Sequence, residues 1–558
     1  MNRIFKKRPY AFCACLMIVC GVALRIFLSL HNWPQTNSDE ATIGLMARHI
    51  VNLGEHPIFF YGQQYMGALE AYLAAPFFVV LGSSLFSLRL SLIFLFAGFL
   101  ICLYLFSSLV YSKGWALVSL SFLSFGSSFV IARQLSAIGG YPELLFFGSL
   151  LFLLASYLAL TQRKPQASGK HYVRYCLYGA WGLAAGLGLW SDLLLLPFVL
   201  CSGLIVVLFC WADLRRIGSA GCLVIGSLIG MWPLIYYNLH AAPGKDSLTT
   251  LLQLRQGGSS ESLNVFQAMW GTVSISVPMI TGEPLCPIVE KPAWSPASAM
   301  SLNCTIIRGG WGLGLLLLFF LSFSLALFRL WSLRVYFDVK KHGAFDNGEG
   351  RQQLIRLAIH MLILISAACT LMAYMFSPSP IDWPGSRARY LTGLLIALPA
   401  LGWPLWVGLQ KTVYQKTGQG FMVRSICLGL LGVICLSSLL GSFLIFWEIP
   451  AAQQNQDRQQ GLIAYLNQRG ITHIYTDYWT CNRLAFLSEE HIICGVVDQH
   501  LQESLDFNRY APYYERVKAD RRSAYLFPHG FHVALPEKDK LKDIFEYNGY
   551  ILYQLREP

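Results

Sequence analysis

The chain has 558 residues, 55% of them hydrophobic and only 13% charged, a balance that excludes an ordinary soluble globular protein. Apolar runs of about 20 residues recur along it, each long enough to cross a hydrocarbon core of roughly 30 Å as a helix. The net charge of +12 does not point to nucleic acid, because the basic residues gather in alternate short loops, the distribution that orients membrane helices with positive charge inside. Of the 15 cysteines, Cys13, Cys15, Cys20, Cys102, Cys201, Cys210, Cys427 and Cys435 lie within apolar segments as small hydrophobes. No CxxC or Cys/His metal spacing occurs.

At the start, Arg3, Lys6, Lys7 and Arg8 precede an apolar run that reaches about Leu30 without a small-residue cleavage site. The expectation is an uncleaved first helix that begins in the cytoplasm and delivers residues 31–86 to the outer side. There the stretch SDEATIGLMARHIVNLGEHPIFFYGQQYMGALE opens with Asp39 and Glu40. Ile43, Met46, Ala47, Ile50 and Val51 recur at helical spacing, with Asn37 and Glu40 as the N-terminal cap and Gly54 as the stop. Asp39 stands one turn before Ile43 and therefore lies along the apolar face. The next run, 66–82, is short and holds Glu70 and Pro76, so it reads as re-entrant or interfacial and not as a span.

Spanning helices are expected over 87–110, 115–132 and 144–160, up to Ser191-Asp192, back to Arg215-Arg216, over 217–238, 309–331 and 357–376, back to Lys411, and over 425–447. With the first helix this makes about eleven, with the C-terminus outside. The inner loops carry Lys113, then Arg163, Lys164, Lys170 and Arg174, then Arg334, Lys340, Lys341, Arg351 and Arg356, then Lys411, Lys416 and Arg424. The fold class is thus mainly α, a membrane domain over 1–450 with a long outer loop at 239–308. A polar tail, 451–558, is long enough for a small α/β cap with its own core. Its expected elements are a helix over Gln453–Asn467, strands at Thr472–Thr476 and Ile492–Val497, a helix over Lys538–Phe545 and a last strand, Tyr550–Leu555. In an oxidising compartment Cys481 and Cys494, and likewise Cys286 and Cys304, are candidates for disulfides.

This threading puts Asp39, Glu40, Glu55, Glu70, Glu143, Asp192 and Asp382 on one face, where an acidic cluster is geometrically possible. Asp39, Glu40 and Glu143 read either as the acids of a site or as first-turn carboxylates favoured by the helix dipole. Arg387 and Arg389, with Tyr390, stand on the outer side against the orientation rule. They suit a phosphate headgroup, bound bidentately, or they snorkel to ordinary lipid. Arg133 is a weaker partner of the same kind. His56, Tyr61, Gln64, Tyr65 and Glu70 line the first loop, the tyrosines either as an interfacial belt or as a surface that stacks on a sugar or prenyl tail. A metal is neither assigned nor excluded, since nearby acids could hold a divalent cation.

These features resemble the plan of the GT-C superfamily of integral-membrane glycosyltransferases, whose members include protein O-mannosyltransferases, the lipid A aminoarabinose transferase and a large family-39-like group. The most specific part is SDEATIGLMARHI…GEHPIFFYGQQYMGALEAYL followed by LRLSLIFLF, which is similar to the acidic first loop of the family-39-like members. The resemblance implies that Asp39, beside Glu40, is the first-loop acid and Glu143 the second-loop acid. It implies inverting transfer from a polyprenyl-phosphate-linked sugar to a lipid, protein or polysaccharide acceptor, in a bacterial inner membrane. The tryptophan-aspartate signature of oligosaccharyltransferases is missing; Asp477-Tyr478-Trp479 is a superficial echo. The alternative from another class is a transporter or lipid-binding scaffold without catalysis, although no internal repeat of the transporter kind is visible.

Overall fold

The computed structural model describes residues 9–162, 171–256, 264–289, 300–339, 348–410, 418–533 and 541–555. Much of the basic-loop pattern (Arg3, Lys6, Lys7, Arg8, Arg163, Lys164, Lys170, Lys340, Lys341, Lys411 and Lys416) lies outside these residues. Among them, eight helices are long and apolar enough to cross a membrane, or nine if one bent pair is joined, and the chain is an integral membrane protein.

Helix α1 (Pro9–Leu30) leads to α2 (Ser38–Asn52) and the short α3 (Leu69–Leu81). Asn37 accepts from the Glu40 amide at 2.9 Å, and α2 ends ahead of Gly54, whose φ is 67°. At 13 residues α3 is too short to span, as expected. Helix α4 (Leu85–Val110) is a full span. The helix expected over 115–132 is instead broken into α5 (Lys113–Ser124) and α6 (Ser128–Leu135), bent by 85°. A break inside a bilayer frees backbone groups that need partners. The buried Arg25 of α1 takes the Ser124 carbonyl at 2.9 Å, and Ser442 accepts from the Gly126 amide at 3.0 Å. Arg25 also meets the Gln134 side chain, so one cation ties both halves of the bend to α1.

Four helices follow: α7 (Tyr141–Leu160), α8 (His171–Ser191), α9 (Leu196–Leu214) and α10 (Ile217–His240). Gly186 of α8 lies so close to α10 that a Cβ there would stand 2.5 Å from the Ser227 carbonyl, and one at Gly230 2.5 Å from that of Leu183. Small residues let two backbones approach where no hydrophobic gain separates helix from lipid. Beyond α10, 239–308 is no plain loop. It holds α11 (Ser247–Gln256) and α12 (Val265–Gly271), with a π turn, Thr272–Ser276, passing into α13 (Val277–Ile280). Cys286 and Cys304 are bonded with Cα atoms 5.7 Å apart, and beside them the buried Arg308 pairs with Glu283 at 3.1 Å.

The last membrane helices are α14 (Leu302–Val339), α15 (Gly348–Met375), α16 (Ser379–Asp382, one turn), α17 (Leu394–Gln410) and α18 (Gly418–Leu444). Helices α8 and α17 occupy the places of two expected spans; α17, at 17 residues, is the shorter.

The tail forms α19 (Ile449–Gln468), β1 (His473–Thr476), α20 (Tyr478–Leu487), β2 (Ile493–Val496), α21 (Ala511–Ala519), β3 (Ala524–Pro528), β4 (Leu541–Tyr547) and β5 (Tyr550–Leu555). The sheet order is β2-β1-β3-β5-β4, with β1 parallel to β2 and β3, and β5 antiparallel to β3 and β4. Its core joins Leu462 and Leu466 of α19 to Ile474, Leu484, Val496, Leu526 and Leu552. Cys481 and Cys494 are bonded across α20 and β2. The helix expected over Lys538–Phe545 is overturned where it is described, since strand β4 begins at Leu541. Asn548 and Gly549, at φ 48° and 84°, close a two-residue hairpin there, which joins antiparallel strands and not a helix to a strand.

Candidate active site

Helix α2 lies between the membrane helices and the tail, packed on α20. Gly44 makes this possible, because a Cβ there would meet the Phe486 ring at 2.6 Å. The buried Ser38 hydroxyl donates to the Tyr478 carbonyl at 2.6 Å, and Asn482 donates to Thr42 at 2.9 Å. This docking brings Tyr478 to the start of α2, where its hydroxyl donates to Asp39 Oδ1. Arg509 donates to the same phenol oxygen at 3.3 Å and lies over the Phe60 and Tyr478 rings at 5.3 and 5.1 Å. Burial, and then the negative charge of Asp39, push the Tyr478 phenol up, so it stays a donor.

Opposite stands the 3-10 turn Ser386–Leu391, which carries Arg389. Its guanidinium lies 5.9 Å over the Tyr141 ring and 5.6 Å over that of Tyr390. Asp39 is the carboxylate whose charge acts on it. Tyr65 joins from the first loop: burial first, then Tyr390, raise its phenol, with Arg509, Asp192 and Arg389 also within its field. Burial likewise raises the Asp192 carboxyl to about 6, against the Leu194 amide and Arg389. Arg133 lies 4.9 Å over Phe129, and its charge reaches Tyr141. Asp39, Tyr65, Arg389, Tyr390 and Arg133 are therefore drawn into one region, and Tyr141, Asp192, Tyr478 and Arg509 are added to it.

The other predicted residues stand elsewhere. Glu40 is fully buried and takes two bonds of 2.8 Å from Arg89, which also reaches the Pro34 carbonyl at 2.7 Å. It anchors α2 to α4 and does not face an open site. Glu70 and Glu143 are buried together. Glu70 accepts from the Gly140 and Gly139 amides at 3.0 and 3.4 Å. Burial raises its carboxyl, while both carboxylate oxygens of Glu143 are buried without a hydrogen-bond partner among the described residues. Glu70 thus braces the Gly139-Gly140 turn (φ 120° and 75°). Arg387 turns away to Asp382, 3.2 Å distant. Tyr61 belongs to a separate knot. It donates to Glu55 and meets His49 at 2.9 Å, while His49 reaches Glu490 at 3.1 Å. His56 is exposed and Gln64 half-buried.

The seven outer acids therefore do not gather into one cluster. Among the described residues no three His, Cys, Asp or Glu side chains stand together as a metal site. Asp39 and Asp192 are the acids that share the field of Arg389.

A mainly helical membrane body, with an acidic first-loop helix roofed by a small C-terminal sheet, defines the GT-C type of fold. No family model matches the sequence, and the comparison with curated proteins found no match. Among solved structures, the chain is similar to ArnT from Cupriavidus metallidurans bound to undecaprenyl phosphate, with TM-score 0.54, 12% identity and 97% of each chain covered. The apo state of the same ArnT gives TM-score 0.54 at 13% identity, again over 97% of each chain. An Archaeoglobus fulgidus oligosaccharyltransferase tethered to an acceptor peptide gives TM-score 0.49 at 12% identity, over 94% of this chain and 69% of that one.

Proposed function

We propose that the chain is a glycosyltransferase that moves a sugar from a polyprenyl-phosphate donor to a hydroxyl acceptor at the extracytoplasmic face of the membrane, with inversion. The observation that carries this reading is Asp39, held by Tyr478 at the tip of α2 and set against the Arg389 guanidinium. Transfer of a glycosyl group from phosphate needs a base near the attacking oxygen and positive charge where the phosphate departs. Asp39 takes the acceptor proton as the acceptor oxygen bonds to the anomeric carbon. The anomeric carbon–oxygen bond breaks, and its electron pair leaves with the phosphate. Arg389 holds that phosphate, with Tyr65, Tyr390 and Arg133 around it. The bound undecaprenyl phosphate of the ArnT structure supports this donor class. The boundary near residue 450 and the outward placement of the tail belong to the same proposal.

The test is mass spectrometry of lipids that co-purify with the native protein and with Asp39→Asn. A glycosylated polyprenyl phosphate that accumulates on the variant, with transfer reduced about 10²–10⁴-fold, is the expected result. Bulk phospholipid alone on both proteins defeats the reading and favours a transporter or scaffold.

A further inference from the structure

A second feature opens beside Asp39. A cleft of about 590 Å³ lies between the end of the first membrane segment and the cap. That volume suits a small-molecule ligand. Thr36 and Asn37, just before Asp39, form one wall; Tyr478, Trp479 and Arg483 of α20 and Phe507 form the other.

Three observations bear on what it binds. Trp479 is 61% exposed and Phe507 44% exposed, although both sit at the docking region of a well-packed cap. The Tyr478 ring joins them, with centroids 5.1 Å from each. Asn37, Thr480, Ser504 and Arg483 add polar groups to the same lining, and Arg483 donates there to the Tyr550 hydroxyl at 3.1 Å. Exposed aromatic faces set among polar groups match a pyranose, which offers C–H bonds on its faces and hydroxyls at its rim. A prenyl chain would leave those polar groups against hydrocarbon.

We infer that this cleft is the acceptor subsite and that the acceptor presents a carbohydrate unit to it. The inference rests on the transferase reading for the word acceptor, but not for the ligand class. Tyr478 connects the two places, lining the cleft with its ring while its hydroxyl holds Asp39. A sugar stacked on Trp479 and Phe507 is thus one side chain, Tyr478, away from the base.

The experiment is saturation-transfer NMR on the full-length protein in detergent, with methyl glucoside, methyl mannoside and chitobiose as probes, and with a serine-rich peptide as competitor. Lipid mass spectrometry is run on the same samples. Binding of at least one sugar, weakened about tenfold or more by Trp479→Ala and also by Phe507→Ala, supports the inference. The same sugar signal in both variants, no signal with any sugar, or displacement by the peptide overturns it. Binding that depends on Trp479 in protein free of polyprenyl phosphate keeps the carbohydrate site and removes its role as an acceptor subsite.

Discussion

Asp39 and Glu40 are neighbours with opposite fates, and the difference lies in what answers each charge. Glu40 is neutralised by two bonds from Arg89 inside the protein, whereas Asp39 keeps one oxygen on a neutral phenol and faces a cation across the site. Removing one partner of a buried ion pair strands the other charge, at a cost of about 3–5 kcal/mol. Glu40→Ala is therefore expected to lower the thermal midpoint sharply, and Glu40→Leu with Arg89→Met to recover most of the loss. A midpoint unchanged in the single variant would remove the anchoring role. Asp192 allows a pH test. Burial raises its carboxyl from 3.8 to about 6, so between these values the folded state holds more protons than the unfolded one, and stability falls as pH rises. Asp192→Asn lacks this term. The native protein should lose ground to the variant in thermal scans from pH 4 to pH 7, and a constant difference across that range would contradict the shift. The placement of Asp39 at the start of α2 was legible in the sequence, because the cap and the apolar periodicity are local signals. Tyr478, 439 residues away in the chain, reads in the sequence only as an echo of another signature, and Arg509 carries no local signal at all.

At the scale of elements, the sequence revealed most helices because an apolar run is a strong signal, but it concealed how they end. Phe125-Gly126-Ser127 breaks an otherwise apolar run, and the break holds because Arg25 and Ser442 satisfy the freed groups. Partners that distant cannot be read from hydropathy. The Asn548-Gly549 pair, by contrast, is a local hairpin signal that competes with the helical pattern over Lys538–Phe545, and the hairpin wins. The contact between α2 and α20 depends on Gly44, whose added Cβ would lie 2.6 Å from the Phe486 ring. Overpacking of this kind costs about 1–3 kcal/mol. Gly44→Ala should loosen the roof and reduce transfer more than it lowers stability, because Tyr478 leaves Asp39. Phe486→Leu in the same chain should restore transfer. A Gly44→Ala protein with full activity would show that the roof does not hold the base.

For the whole molecule, the decisive relation is that the first loop and the cap share one face. Their contact is polar and many-sided. His49 meets Glu490 at 3.1 Å, and Tyr510 donates to Glu55 at 2.7 Å. Tyr513 donates to Glu490 at 2.6 Å. Burial opposes the charge of Glu490, yet the bonds from His49 and Tyr513 outweigh it and hold the carboxyl low. Helix α4 starts beside this assembly, where Arg89 grips Glu40, and its 26 residues carry the chain roughly 39 Å at 1.5 Å per residue. Lys113 therefore lies at the opposite membrane surface from the cap, whichever surface is outside. In the reading proposed above, basic residues mark the cytoplasmic side and the cap and Asp39 face the exterior. A cysteine at Gln499, exposed on the cap, should react with a membrane-impermeant maleimide in intact cells, above the signal of the parent protein. A cysteine at Lys113 should react only after permeabilisation. The reverse pattern would place Asp39 in the cytoplasm, where a donor on the outer leaflet could not reach it. Labelling of both positions in intact cells would mean that α4 does not cross the membrane, and the threading of every later helix would have to be redrawn from that point.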